Sequence, residues 1–147
     1  LDIQSNISFL SLLNSENSRL DTSNNFVLRF DSALLEGSDI LVSNTGKNIV
    51  TLTEGIYRFD IYFTLYTTEK IASQLFIDGE LFDPILDIYR KLNLINDRGA
   101  YNMHGMVLIL PCIAGQQFCF KFIYSDETID SECVFAAGSR VLITKIR

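Results

Sequence analysis

IVTLTEGIYRFDIYFTL, residues 49–65, places Tyr57, Phe59, Ile61, Phe63 and Leu65 in alternation with Arg58, Asp60, Tyr62 and Thr64. A period of two marks a β-strand with one face on a core and the other in water. Phe118, Phe120, Phe122 and Tyr124 alternate with Cys119, Lys121 and Ile123 in nearly the same way. Four other segments do not alternate. Met106–Leu110, Leu75–Ile77, Val141–Ile143 and Phe9–Leu13 are apolar at consecutive positions, a composition that demands burial on both faces. In a two-layer sandwich only one face of a strand meets the core. The other face of these strands must meet something else. A covering helix or long loop is one answer, but the chain offers no clear helix, so a subunit interface is the more economical one.

Outward from this centre, Ile7–Leu13 reads as a first strand, followed by a polar surface loop over Asn14–Asn25. Phe26–Phe30 is a short strand. Asp39–Ser43 and Asn48–Thr53 bracket the turn Asn44-Thr45-Gly46. Ala72–Ile77 and Glu80–Phe82 flank Asp78-Gly79, which predicts a tight hairpin. Asp83–Arg98 is ambiguous. Ile85, Leu86, Ile88, Tyr89, Leu92 and Ile95 fit helical spacing, but behind Pro84 a strand followed by a loop is preferred. Met106–Leu110, Phe118–Tyr124 and Arg140–Ile146 complete about ten strands with short connections, the pattern of an all-β sandwich or barrel. The 147 residues suit a single domain, residues 1–147.

Composition excludes several roles. A net charge of −6, with twelve scattered Lys and Arg, argues against a nucleic-acid groove. No apolar run approaches the ~20 residues that span a bilayer, so membrane insertion is not expected. The first residue is Leu1 rather than Met, and a targeting sequence is expected upstream.

Catalytic signatures are lacking. His104 is the only histidine and no general-base partner for it can be read from the sequence. There is no nucleophile motif, phosphate loop or paired-histidine metal site, so neither enzymatic activity nor a cofactor is expected. Asp126, Glu127, Asp130 and Glu132, and Asp83 with Asp87, are candidates for a hard cation but lack the spacing of a calcium loop and read as solvated acidic turns. Cys112, Cys119 and Cys133 match no zinc pattern; a turn at Ala114-Gly115 would put Cys112 opposite Gln117, out of register for a bridge to Cys119. Tyr89, Arg90, Lys91, Asn93, Asn96, Arg98 and Tyr101 form a polar and aromatic cluster. It is either an ordinary exposed loop or a surface for a receptor or glycan, with Tyr89, Arg90 and Arg98 as the anchors.

The order FVLRF, DILVSNTGKNIVTLTEGIYRF, LFIDGELF, HGMVLILPCIAGQQFCFKF and GSRVLITKIR resembles the C-terminal globular domain of bacterial collagen-like exosporium glycoproteins. That domain belongs with the complement globular heads and tumour-necrosis-factor-like jelly rolls, and similar modules occur in viral structural proteins. Cys112 stands where the pattern has an aliphatic residue. The resemblance implies an antiparallel jelly-roll sandwich that assembles as a homotrimer at the tip of a fibrous stalk, its doubly apolar strands lining the three-fold axis. It implies an extracellular setting, on a spore exosporium, virion or cell surface, with a host receptor, glycan or other surface-layer proteins as partners. A soluble receptor ligand of the tumour-necrosis-factor type or a virion structural protein is the alternative. Carried over residue by residue, Tyr57, Phe59, Ile61, Phe63, Phe118, Phe120 and Phe122 match core positions, as do Leu108 and Leu110. Phe76, Val107 and Ile109 are left to face neighbouring subunits.

Overall fold

A computed structural model describes residues 7–20, 26–43, 46–68, 71–80, 88–124 and 133–147. In chain order these form β1 (Phe9–Leu13), β2 (Ser18–Leu20), β3 (Phe26–Val27), β4 (Ser32–Glu36), β5 (Ile40–Val42), β6 (Ile49–Thr51), β7 (Gly55–Thr67), β8 (Ile71–Glu80), β9 (Ile88–Asn96), β10 (Ala100–Cys112), β11 (Gln116–Tyr124), β12 (Cys133–Phe135) and β13 (Arg140–Lys145). No helix occurs among the described residues. Two antiparallel sheets result. The first runs β2-β12-β7-β13-β1-β4, with β10 paired to the free side of β7; the second runs β5-β6-β11-β8-β9, with β3 on β11.

The alternation in β7 sorts its side chains as the sequence predicts. Tyr57, Phe59, Ile61, Phe63 and Leu65 are all buried, and Phe118, Phe120 and Phe122 of β11 meet them from the other sheet. Phe59 and Phe118 have ring centroids 5.2 Å apart, and Phe63 stands edge-on to Phe120 at 6.1 Å. Such pairs add about 0.5–1.5 kcal/mol each beyond the area they bury.

Three of the four doubly apolar segments, in β1, β10 and β13, fall in the first sheet, and the fourth, in β8, lies in the second. The ladder between β1 and β13 places Phe9 opposite Thr144, so both ends of the described chain lie at one pole. That proximal pole is closed by a polar cluster. The Asp39 carboxylate accepts hydrogen bonds from the Ser8 and Thr53 hydroxyls and from Lys145 Nζ, 3.3 Å away, and its pKa is held below the usual carboxylate range, first by Ser8 and then by Thr53. Tyr57 Oη donates to the Thr53 carbonyl at 2.8 Å.

Several local expectations are corrected. Asp78-Gly79 is not a turn: β8 runs through it, with Asp78 opposite Cys119 and Gly79 opposite Phe118. Asp78 instead pairs with Lys121 across the ladder. Cys112 and Cys119 do not flank a hairpin, because β10 belongs to the first sheet and β11 to the second, and the turn through Gly115, φ 84°, carries the chain between them. Of the two readings of 83–98, the preferred one, strand, holds over residues 88–96. β2 lies in the stretch expected to be loop, and β4 and β12 arise where no strand is predicted. Asn44, Thr45, Asp83, Pro84, Ile85, Leu86, Asp87 and the acidic residues 126–132 lie outside the described residues.

Candidate subunit interface

Register defines the outward face of the first sheet. Because directly opposed residues share a face, Val107, Asp60, Leu142, Ser11 and Leu34 form one outward row across β10, β7, β13, β1 and β4. Ile109, Arg58, Thr144, Phe9 and Glu36 form the next. Toward the distal pole, Met103 lies opposite Thr64, and Tyr101 opposite Tyr66, with ring centroids 5.1 Å apart. The apolar members are open to solvent: Ile109 is 59% exposed, Val107 53%, Met103 69%, Leu34 59% and Leu142 38%. Their immediate neighbours Leu110, Val141 and Ile143 point the other way and are buried. These exposed apolar side chains take no part in the core of the protomer.

The face is not uniformly oily. Arg58 holds Asp60 two residues along β7, with Nε 3.1 Å from both carboxylate oxygens. Arg140 Cζ lies 4.8 Å from the centroid of the Tyr62 ring, a cation over an aromatic face. Tyr62 Oη reaches Met103 Sδ at 2.7 Å. Gly105, opposite Tyr62, carries no side chain, and Ser11 carries a small one. A groove of about 650 Å³ opens there, lined by Ser11, Asp60, Tyr62, Val107, Arg140 and Leu142.

The sequence-derived candidates divide. Val107 and Ile109 sit together on this face. Phe76 does not join them: it is on β8 of the other sheet, on the side away from Leu75 and Ile77, and only 8% exposed. Tyr89 and Arg90 lie early in β9, opposite Asp78 and Ile77, and their side chains lie outside the described residues. Arg98 is exposed in the turn beyond Asn96, at the other end of that strand. Six residues of extended chain, about 20 Å, separate Arg90 from Asn96 at the strand's end, so the structure does not bring the three together. Tyr62, Met103, Arg140 and Leu142 were missed. Tyr62 was readable from the alternation of β7, but Leu142 needed the parity of β13, which follows from its pairing with β7.

His104 points inward and donates Nε2–H to Asn96 Oδ1 at 2.8 Å, while buried Asn96 donates to buried Ser73 at 3.2 Å. Burial lowers the His104 pKa from its ordinary value. This chain of bonds ties β10 to β9 and β8, and it presents no nucleophile to a substrate. None of the three cysteines is joined in a disulfide among the described residues. Among the described residues no group of three or more His, Cys, Asp or Glu is gathered to hold a metal ion, and no helix is long and apolar enough to cross a membrane.

No family model and no curated protein matches this sequence. Solved structures do. Murine APRIL superposes with a TM-score of 0.68 at 14% identity, covering 95% of this chain and 99% of that one. The globular domain of zebrafish complement 1qA protein gives 0.67 at 12%, covering 95% and 97%. This is a tumour-necrosis-factor-like jelly roll. Eiger TNF from S. frugiperda shares the jelly roll with a TM-score of 0.65 at 9% identity, covering 96% of this chain and 92% of that one. At such identities the likeness lies in the jelly-roll fold, and the side chains on its outward face are this chain's own.

Proposed function

We propose that this jelly roll is a non-enzymatic, single-domain head that trimerises through the outward face of its first sheet. Trimerisation drives assembly of a fibrous or collagen-like protein at an extracellular surface, and the distal loops serve adhesion, to a receptor or a glycan. The observation that carries the reading is the row Val107, Leu142 and Leu34 with Ile109 and Met103 beside it, all exposed on one face. Fully burying an aliphatic side chain of this kind stabilises by about 1.5–3 kcal/mol. A face holding several of them is therefore a strong drive to associate. A three-fold arrangement is closed and heterologous, so each copy's β10 edge can meet a different part of the next copy's face. Of the three adhesion candidates, Arg98 stands at the distal pole, and Tyr89 and Arg90 lie toward the pole where the chain ends meet.

Sedimentation equilibrium at micromolar concentration tests the assembly. The expected mass is three times the 16.7 kDa of the chain. A monomer or dimer at every concentration refutes the trimer.

A further inference from the structure

The centre of the outward face carries an unbalanced charge. Across β10, β7, β13 and β1, three outward side chains are ionic: Arg58, Asp60 and Arg140. Arg58 and Asp60 neutralise each other, with Arg58 Nη2 3.1 Å from the carboxylate. Arg140 has the Tyr62 ring and no carboxylate within ion-pair distance among the described residues. A cation over an exposed ring gains roughly 0.5–1 kcal/mol. Removing a guanidinium from water costs several kcal/mol unless a counter-charge replaces the water.

Self-association does not supply that counter-charge from the same rows, since every copy brings the same surplus cation. The remaining outward carboxylate, Glu36, is on β4, two strands across and four ladder positions along from Arg140. At ordinary strand spacings that is about 16 Å within one protomer. The groove beside Arg140 has room for a small ion. It also offers the Ser11 hydroxyl, which makes no hydrogen bond among the described residues.

We infer that the groove is an oxyanion site: as the face associates, a small carboxylate or phosphate from solution lodges against Arg140 and Ser11 and balances the guanidinium. The planar fork of an arginine suits either ion, through two parallel N–H···O bonds. The apolar walls, Val107 and Leu142, exclude the water that would otherwise compete. This site rests on the self-association proposed above.

The test compares the whole chain in chloride and in millimolar inorganic phosphate at matched ionic strength, by sedimentation and thermal unfolding. The expected result is an unchanged trimer mass and a midpoint raised in phosphate by about 2–4 °C. Arg140→Gln should abolish the rise, and Arg140→Lys should keep part of it. A trimer whose midpoint ignores phosphate overturns the site and leaves the assembly standing. If that trimer is instead weakened by Glu36→Gln, the counter-charge comes from a neighbouring subunit, which also overturns it. A monomer in both salts removes the assembly reading. In that case, or if Arg140→Gln fails to fold, the Arg140 Nε–H resonance of the wild-type chain is followed through a phosphate titration. An Arg140 signal that does not move overturns the site; one that moves upholds it in a trimer, and in a monomer overturns its dependence on association.

Discussion

Ile109 and Leu110 are adjacent, equally apolar and oppositely directed, at 59% and 3% exposed. Substituting each in turn separates association from folding. In Ile109→Glu the new carboxylate stands opposite Arg58 in the ladder. An opposite-charge cross-strand pair contributes roughly 0.2–1 kcal/mol, so the protomer itself has no reason to unfold. The interface loses the exposed part of the isoleucine. Three-fifths of about 1.5–3 kcal/mol is about 1–2 kcal/mol per copy, or about 3–5 kcal/mol per trimer. At 1.4 kcal/mol per decade, trimer affinity should fall by roughly two to four orders of magnitude. Leaving three carboxylates in an apolar contact can only enlarge the loss. Leu110→Ala, by contrast, should cost about 2–5 kcal/mol of protomer stability. Sedimentation velocity at micromolar concentration, read beside near-ultraviolet circular dichroism, distinguishes them. Ile109→Glu should be monomeric with a native aromatic signal, and Leu110→Ala should lose thermal stability. An Ile109→Glu protein that remains a trimer with wild-type concentration dependence refutes the assignment of this face. So does one that loses its tertiary signal, since Ile109 would then belong to the protomer's own packing.

Two further outcomes are expected. Because burial lowers the folded-state pKa of His104, the unfolded chain binds a proton there before the folded one does. The stabilisation is complete above the unfolded value of about 6.5 and is lost as pH falls below it. The thermal midpoint should therefore drop between pH 7 and 5, and His104→Gln should flatten that drop; identical slopes would show that His104 is not responsible. Burial also pushes the Cys112 thiol up to about 12, and Cys133 is fully buried, whereas Cys119 is half-buried on the outer side of β11. An aromatic disulfide reagent at pH 8 should label Cys119 first, and fast labelling that survives Cys119→Ser would contradict this placement.

The core faces were legible because side-chain direction in a strand is local: residues two apart share a side whatever the strand pairs with. The alternation of Tyr57 to Leu65 and of Phe118 to Phe122 therefore assigned the buried aromatic rings correctly. The apolar runs in β1, β10 and β13 likewise signalled apolar side chains outside the core before any pairing was known, and Val107, Ile109 and Leu142 are exposed there. The net charge of −6 argued against a nucleic-acid groove, and a single histidine against a paired-histidine site, on composition alone.

Sheet membership was not legible, because a period of two says which side a residue faces and not which strand lies next to it. Phe76 and Ile109 have the same local signature, yet the ladders of β8 and β10 put them on opposite outer surfaces. The same limit explains Asp78-Gly79, a strong turn signal overridden by the long β8–β11 ladder, whose partner Lys121 takes the Asp78 carboxylate. It also explains Tyr89, Arg90 and Arg98, close in sequence but held toward opposite poles by an extended strand. Composition and alternation determined that this chain is a two-layer β sandwich with a surplus apolar face. Non-local pairing decided where that face lies, that Arg140 stands in it over Tyr62 without a counter-charge, and that Gly105 and Ser11 leave a groove beside it.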